Sequence, residues 1–339
     1  MKKSLIALAV LAASGASFAQ SSVSIYGLVD VSLAHIKSDQ GNASTSSTQM
    51  LSGAVSTSVW GFKGSEDLGG GLKANFKLEQ GFDVSNGTQA VAGSAFSREA
   101  WVGFSGGFGE VKLGKVSSAY NDIEGVAAPV FGSGTVGPMG IAFQSDIQEN
   151  ARPTNTIYYS TPTFSGFTGS VSYSLDENNG TTGGTTVKSL GGSYAAGPLY
   201  VGLGYQTQKA YNSATAPLEV KLTQLNVTYD LTAVKLIAAL GHVANSNGVD
   251  GKANEWLIGV DVPVSSALTL STGYSRSKTD GTVDGADDFK QTAFSVGAAY
   301  TLSKRTLVYA AVSHDKVTDQ PGIDDITTNK YAVGVKHSF

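Results

Sequence analysis

The chain has 339 residues, 42 of them Gly and none Cys, and only 15 % are charged. An ordinary soluble domain carries about 25 % charged residues and about 7 % Gly, so this composition disfavours helices edged with Glu and Lys. The lack of Cys excludes disulfide scaffolds, thiolate metal centres and thiol nucleophiles, and a net charge of -4 without a Lys/Arg cluster beyond the N-terminus argues against nucleic-acid binding.

Residues 1–19 read as an export signal. Lys2 and Lys3 form a positive start, Leu5 to Ala13 an apolar core, and Ser17-Phe18-Ala19 a small-x-small cleavage site before Gln20. The apolar run is shorter than the roughly 20 residues of a membrane-spanning helix. Cleavage leaves 21 basic against 27 acidic residues in the mature chain, 20–339. Beyond Gln20 no apolar run is long enough for a helical span, because the longest uncharged stretch, Gly125 to Ser145, is broken by Gly, Pro and Ser.

What recurs is alternation of period two. Val23, Ile25, Val29, Val31 and Leu33 share one face, with Ser22, Ser24, Tyr26, Asp30 and Ser32 on the other. Leu72, Ala74, Phe76 and Leu78 oppose Lys73, Asn75, Lys77 and Glu79; Leu218, Val220 and Leu222 oppose Glu219, Lys221 and Thr223. At the end of the chain Tyr331, Val333, Val335, His337 and Phe339 oppose Ala332, Gly334, Lys336 and Ser338.

Short turns such as Ala196-Gly197-Pro198 and Ser303-Lys304-Arg305 take turns with long polar connections. The long ones fall at about Asp39 to Gln49, Ser85 to Ser94, Ala119 to Asn150, Glu177 to Thr186, Ala210 to Ala216, Asn245 to Lys252, Thr279 to Asp288 and Val317 to Asn329. Seven short and eight long connections separate sixteen strands. Roughly 20 residues per strand and connection suits spanning strands of about 9 to 11 residues. The expectation is an all-β, sixteen-stranded antiparallel transmembrane barrel, closed so that half-apolar strands leave no edges. A soluble sandwich would alternate in the same way; the even count, the two classes of connection and the aromatic last residue favour the barrel. Tyr158, Tyr159, Tyr173, Tyr194, Tyr200, Tyr229, Tyr300 and Phe339 lie near strand ends, either as interfacial girdles or as ordinary strand aromatics.

Five stretches resemble the Gram-negative general porins of the betaproteobacterial type, in order along the mature chain. They are Ser22-Val23-Ser24-Ile25-Tyr26-Gly27-Leu28-Val29-Asp30; Gly61-Phe62-Lys63-Gly64-Ser65-Glu66-Asp67-Leu68-Gly69-Gly70-Gly71-Leu72-Lys73; Phe108-Gly109-Glu110-Val111-Lys112-Leu113-Gly114-Lys115; Ile157-Tyr158-Tyr159-Ser160-Thr161-Pro162 with Phe164-Ser165-Gly166-Phe167; and the closing Gly334-Val335-Lys336-His337-Ser338-Phe339. The resemblance implies a homotrimer in the outer membrane, each subunit with a water-filled pore. It also implies that the long third loop folds into the lumen and sets acidic groups against a ladder of basic wall residues. The connection Ala119 to Asn150 suits that role, since its centre is poor in charge and rich in Val, Ala, Phe and Met.

Position by position, Arg98 and Arg152 match the family's basic wall positions, whereas Val59 in Ser58-Val59-Trp60-Gly61 stands where an Arg is expected, which argues against strong anion selectivity. Asp122 and Glu124 are the acidic candidates on the loop, and Lys77 and Glu79 share the polar face of their strand. With Arg98 inward, strict alternation would send Glu99 outward. Phe339 is expected to serve as an assembly signal for the outer-membrane barrel assembly machinery.

The function implied is passive diffusion of ions and small hydrophilic solutes through a charged constriction. Partners would be sister subunits, outer-membrane lipids and the solutes. The alternative is an adhesin or structural barrel acting through its surface loops. An enzyme is not expected: His35, His242, His314 and His337 sit in no nucleophile motif, and no cofactor fingerprint or metal spacing is present.

Overall fold

The alternating segments become strands that pair antiparallel with their chain neighbours until the last meets the first and the sheet closes on itself. The computed structural model describes residues 22–132, 134–175, 184–210, 218–246, 251–281 and 288–339. The export signal expected at 1–19 lies outside them, as does most of the long connections expected around 177–186, 210–216, 245–252 and 279–288.

Among the described residues the strands are β1 (Ser22–Gln40), β2 (Ala43–Ser52), β3 (Val59–Gly69), β4 (Leu72–Gly81), β5 (Glu99–Gly106), β6 (Gly109–Lys115), β7 (Thr156–Ser160), β8 (Phe167–Ser174) and β9 (Thr185–Ala196). They continue with β10 (Leu199–Ala210), β11 (Leu218–Asp230), β12 (Lys235–Ser246), β13 (Lys252–Pro263), β14 (Leu268–Asp280), β15 (Phe289–Ser303), β16 (Thr306–Thr318) and β17 (Ile326–Ser338). Two short helical turns, α1 (Pro138–Ala142) and α2 (Gln144–Gln148), lie in the connection between β6 and β7.

These segments make sixteen staves, because β2 and β3 are two halves of one. Ala43 to Ser52 pairs with the upper part of β1, Gln40 to Val31, and Val59 to Ser65 pairs with its lower part, Leu28 to Ser22. Closure runs from Leu28 opposite Ser338 to Gln40 opposite Ile326. The last residue completes it: Phe339 N donates to Gly27 O at 3.0 Å and Gly27 N to Phe339 O at 3.1 Å.

The burial is inverted relative to a soluble protein. Val23, Val333 and Leu203 are among the most exposed side chains, while Gln206, Asn226, Ser275, Ser295 and Ser313 are sealed from solvent. An apolar exterior and polar interior is what a lipid-facing barrel requires, and it removes the soluble sandwich.

The expected long connection Asp39 to Gln49 is corrected. β1 and β2 run on as a hairpin turning at Gly41-Asn42, with Gln40 opposite Ala43. Its Ser and Thr residues resemble loop composition, but continuous pairing to β1 satisfies their backbone groups. The faces of β11 also differ from expectation at its start: Val220 and Leu222 are buried in one cluster with Tyr120, while Lys221 is exposed. Packing against the connection beneath it, not lipid contact, selects that face.

Between β2 and β3 the chain turns inward at 53–58, held by Asp30. This fully buried carboxylate accepts hydrogen bonds from Val55 N at 2.9 Å, Ser56 N at 2.7 Å and Tyr309 Oη at 2.6 Å. Asp30→Ala would leave two backbone donors and a hydroxyl unpaired, and is expected to destabilise the barrel by about 3 kcal/mol. Denaturant unfolding in detergent checks it, with Tyr309→Phe as the milder comparison at about 1 kcal/mol.

Candidate functional site

The connection 116–155 is tied to the inward side chains of distant strands. Ala119 N donates to Ser172 Oγ on β8 at 3.2 Å, Asn226 Nδ2 on β11 to Ile123 O at 2.7 Å, and Val130 N to Ser271 Oγ on β14 at 2.6 Å. Ser275 Oγ on β14 donates to Pro138 O at 2.6 Å, Gln291 Nε2 on β15 to Ile141 O at 2.7 Å, and Lys330 Nζ on β17 to Thr135 O at 3.1 Å. Glu255 on β13 receives Gln144 N at 2.7 Å and both the N–H and hydroxyl of Ser145, which occupies the orphan donors that open α2. Gly supplies the clearance: a Cβ at Gly259 would stand 2.7 Å from Pro129 Cβ.

A charged group occupies the wall of β3 to β7. On β4, Lys77 and Glu79 lie on one polar face, as expected, and Glu79 is 6 % exposed. Lys77 Nζ is 3.0 Å from Glu79 Oε2 and 2.8 Å from Glu99 Oε1, and Arg98 Nε is 2.9 Å from Glu79 Oε1. Tyr26 Oη donates to Glu79 Oε2 at 2.8 Å, so one carboxylate gathers three donors.

Glu99 therefore faces the same side as Arg98, against the alternation argument. Arg98 precedes β5, and Phe96 just before it has a φ of 53°. Alternation breaks because both residues lie against Glu79: Arg98 N donates to Glu79 O at 3.1 Å, and Glu99 stands opposite Glu79 in the β4–β5 register. Glu99 also accepts from Trp101 Nε1 at 2.6 Å.

From the connection, Asp122 reaches this wall: its Oδ2 receives Tyr158 Oη at 2.6 Å. Asp122 is itself solvent-exposed, and the Lys112 charge lies close by. Arg152 lies near Arg98, Glu99, Glu149 and Glu79; burial and then the Arg98 charge lower its guanidinium pKa. Its carbonyl accepts Lys115 Nζ at 2.7 Å. Glu124 does not join the group: it is 7 % exposed and lies beside Asp146 and Glu149 within the connection.

Val59 lies in register between Leu28 on β1 and Gly81 on β4, on the face of β3 that carries Lys63. Lys63, Lys73, Lys77, Asn75 and Trp101 line a cavity of about 430 Å³ toward the short-turn end. Lys63 Nζ stands 5.0 Å from the Tyr26 ring centroid, and Lys112 Nζ is 5.1 Å from that of Trp101 and 4.8 Å from that of Tyr158. Tyr26 and Lys112 could have been found by counting alternate residues from Ser22 and Glu110. Tyr158 and Tyr200 face inward beside the Asp122 charge, so neither is in a lipid-facing girdle.

The chain matches the family described as Gram-negative porin across residues 5–320. It is 34 % identical over 346 residues to Outer membrane porin protein 32 of Delftia acidovorans, covering 99 % of this chain and 95 % of the relative. To Major outer membrane protein P.IB of Neisseria gonorrhoeae it is 31 % identical over 370 residues, covering all of both. Among solved structures, an anion-selective porin from Comamonas acidovorans superposes with a TM-score of 0.80 at 28 % identity, over 94 % of this chain and 100 % of that one. The trimer form of OmpT from Vibrio cholerae shares the fold, with a TM-score of 0.70 at 14 % identity over 94 % and 99 %.

Proposed function

The chain belongs to the Gram-negative porin family of outer-membrane channels, not enzymes, and from that premise we propose how it conducts. The connection 116–155 lies in the lumen and narrows a water-filled pore. The free passage runs along the charged wall formed by Lys77, Glu79, Arg98, Glu99 and Arg152, where Asp122 of the connection meets it at Tyr158. The observation that carries this reading is the hydrogen-bonding of the connection to inward side chains from β8 round to β17. Irregular backbone at membrane depth is stable only where it lines a cavity or is buried in protein.

Ions and small hydrophilic solutes cross this point by diffusion, exchanging part of their hydration for charged side chains. Selectivity is weak, because two of the wall's three cations are paired: Lys77 bridges two carboxylates and Arg98 one. Val59 adds no charge where the resemblance expects a third Arg. The zero-current potential across a KCl gradient tests this, with a small value expected; strong chloride preference contradicts it.

The subunit assembles as a homotrimer after the signal at 1–19 is removed, and Phe339 contributes to assembly. Its backbone closes β17 onto Gly27 through two hydrogen bonds. Deleting Phe339 is expected to lower the amount of heat-modifiable trimer in outer-membrane fractions; normal amounts would count against the role.

A further inference from the structure

Within the connection between β6 and β7, three carboxylates from its two arms converge. Glu124 lies on the outgoing arm; Asp146 in α2 and Glu149 just after it lie on the returning arm. One carboxylate oxygen from each falls within 4.8 Å of the others. Among the described residues, Glu124 Oε1 and Glu149 Oε2 are sealed from solvent and have no hydrogen-bond partner. Tyr120 Oη, fully buried and likewise without a partner, lies close enough to feel the charges of Glu149 and Glu124.

Buried anions with orphan oxygens call for a cation or for protons. The spacing and donor type decide which cation fits. Calcium takes oxygen ligands at about 2.3–2.6 Å, so ligands on opposite sides of it stand roughly 5 Å apart, whereas magnesium at about 2.0–2.1 Å needs a tighter set. With oxygen as the sole donor, zinc is disfavoured.

We propose that Glu124, Asp146 and Glu149 form a calcium site that ties the two arms of the connection together. Tyr120 and water complete an oxygen shell, and the ion holds the fold of the constricting segment. The site does not depend on the channel reading, and its test needs no conductance.

The full mature protein, refolded in detergent free of lipopolysaccharide, is stripped with a chelator and titrated with terbium. Tyrosine-sensitised emission from Tyr120 is expected, displaced by calcium and not by equal magnesium. Glu124→Gln and Asp146→Asn should each weaken the site by roughly tenfold or more without changing heat-modifiable mobility. If a variant fails to fold, metal content of the wild type decides: one calcium per chain retained through dialysis against magnesium supports the site. Calcium at the level of the detergent blank, or equal terbium emission from wild type and folded variants, overturns it.

Discussion

Removing both guanidinium groups, Arg98→Ala with Arg152→Ala, is expected to make the channel cation-selective. Arg98 holds Glu79 at 2.9 Å, and Lys77 is already shared between Glu79 and Glu99. Without the two arginines the carboxylates outnumber the cations at the same wall. Unit charges about 4 Å apart interact by roughly 4 kcal/mol at an effective dielectric of about 20. The side chains are partly hydrated, and Arg98 is 25 % exposed, so a fraction of that reaches the permeating ion. A shift of about 1.4 kcal/mol corresponds to tenfold in the potassium-to-chloride ratio. The zero-current potential under a KCl gradient should change accordingly, and an unchanged potential would remove these arginines from the ion path.

The second large effect is expected from replacing 119–150 with a short Gly-Ser linker. Single-channel conductance should rise severalfold, and neutral sugars excluded by the wild type should enter proteoliposomes. The hydrogen-bonding wall partners of the connection, Asn226, Ser271, Ser275 and Gln291, are polar, and only small clusters such as Val220 with Leu222 and Ile237 with Leu257 are apolar. Water can replace the connection at each polar partner, so the barrel is expected to survive, as heat-modifiable mobility would report. Unchanged conductance in a folded variant would mean that the connection does not limit flow.

Much of this architecture is written in alternation. The outward Val23, Ile25 and Val333 and the inward Asp30, Lys77 and Glu79 follow from period two alone. Alternation fails where two residues lie against one or where a second layer intervenes. Arg98 and Glu99 share a side because both lie against Glu79, Arg98 N donating to its carbonyl and Glu99 standing opposite it in register. Val220 and Leu222 turn inward because Tyr120 waits there. The Ser- and Thr-rich run 43–52 has loop composition, yet pairing along β1 makes it a strand. Asp122 and Glu124, two residues apart, part company because one finds Tyr158 and the other the acids of the returning arm. Neither partner is signalled by local spacing.

The most direct test of the central claim is the conductance of the refolded mature protein in a planar bilayer. The account expects stepwise increases as channels insert, ohmic at low voltage, closing in thirds at high voltage. A folded, β-rich protein that inserts and never conducts would contradict it.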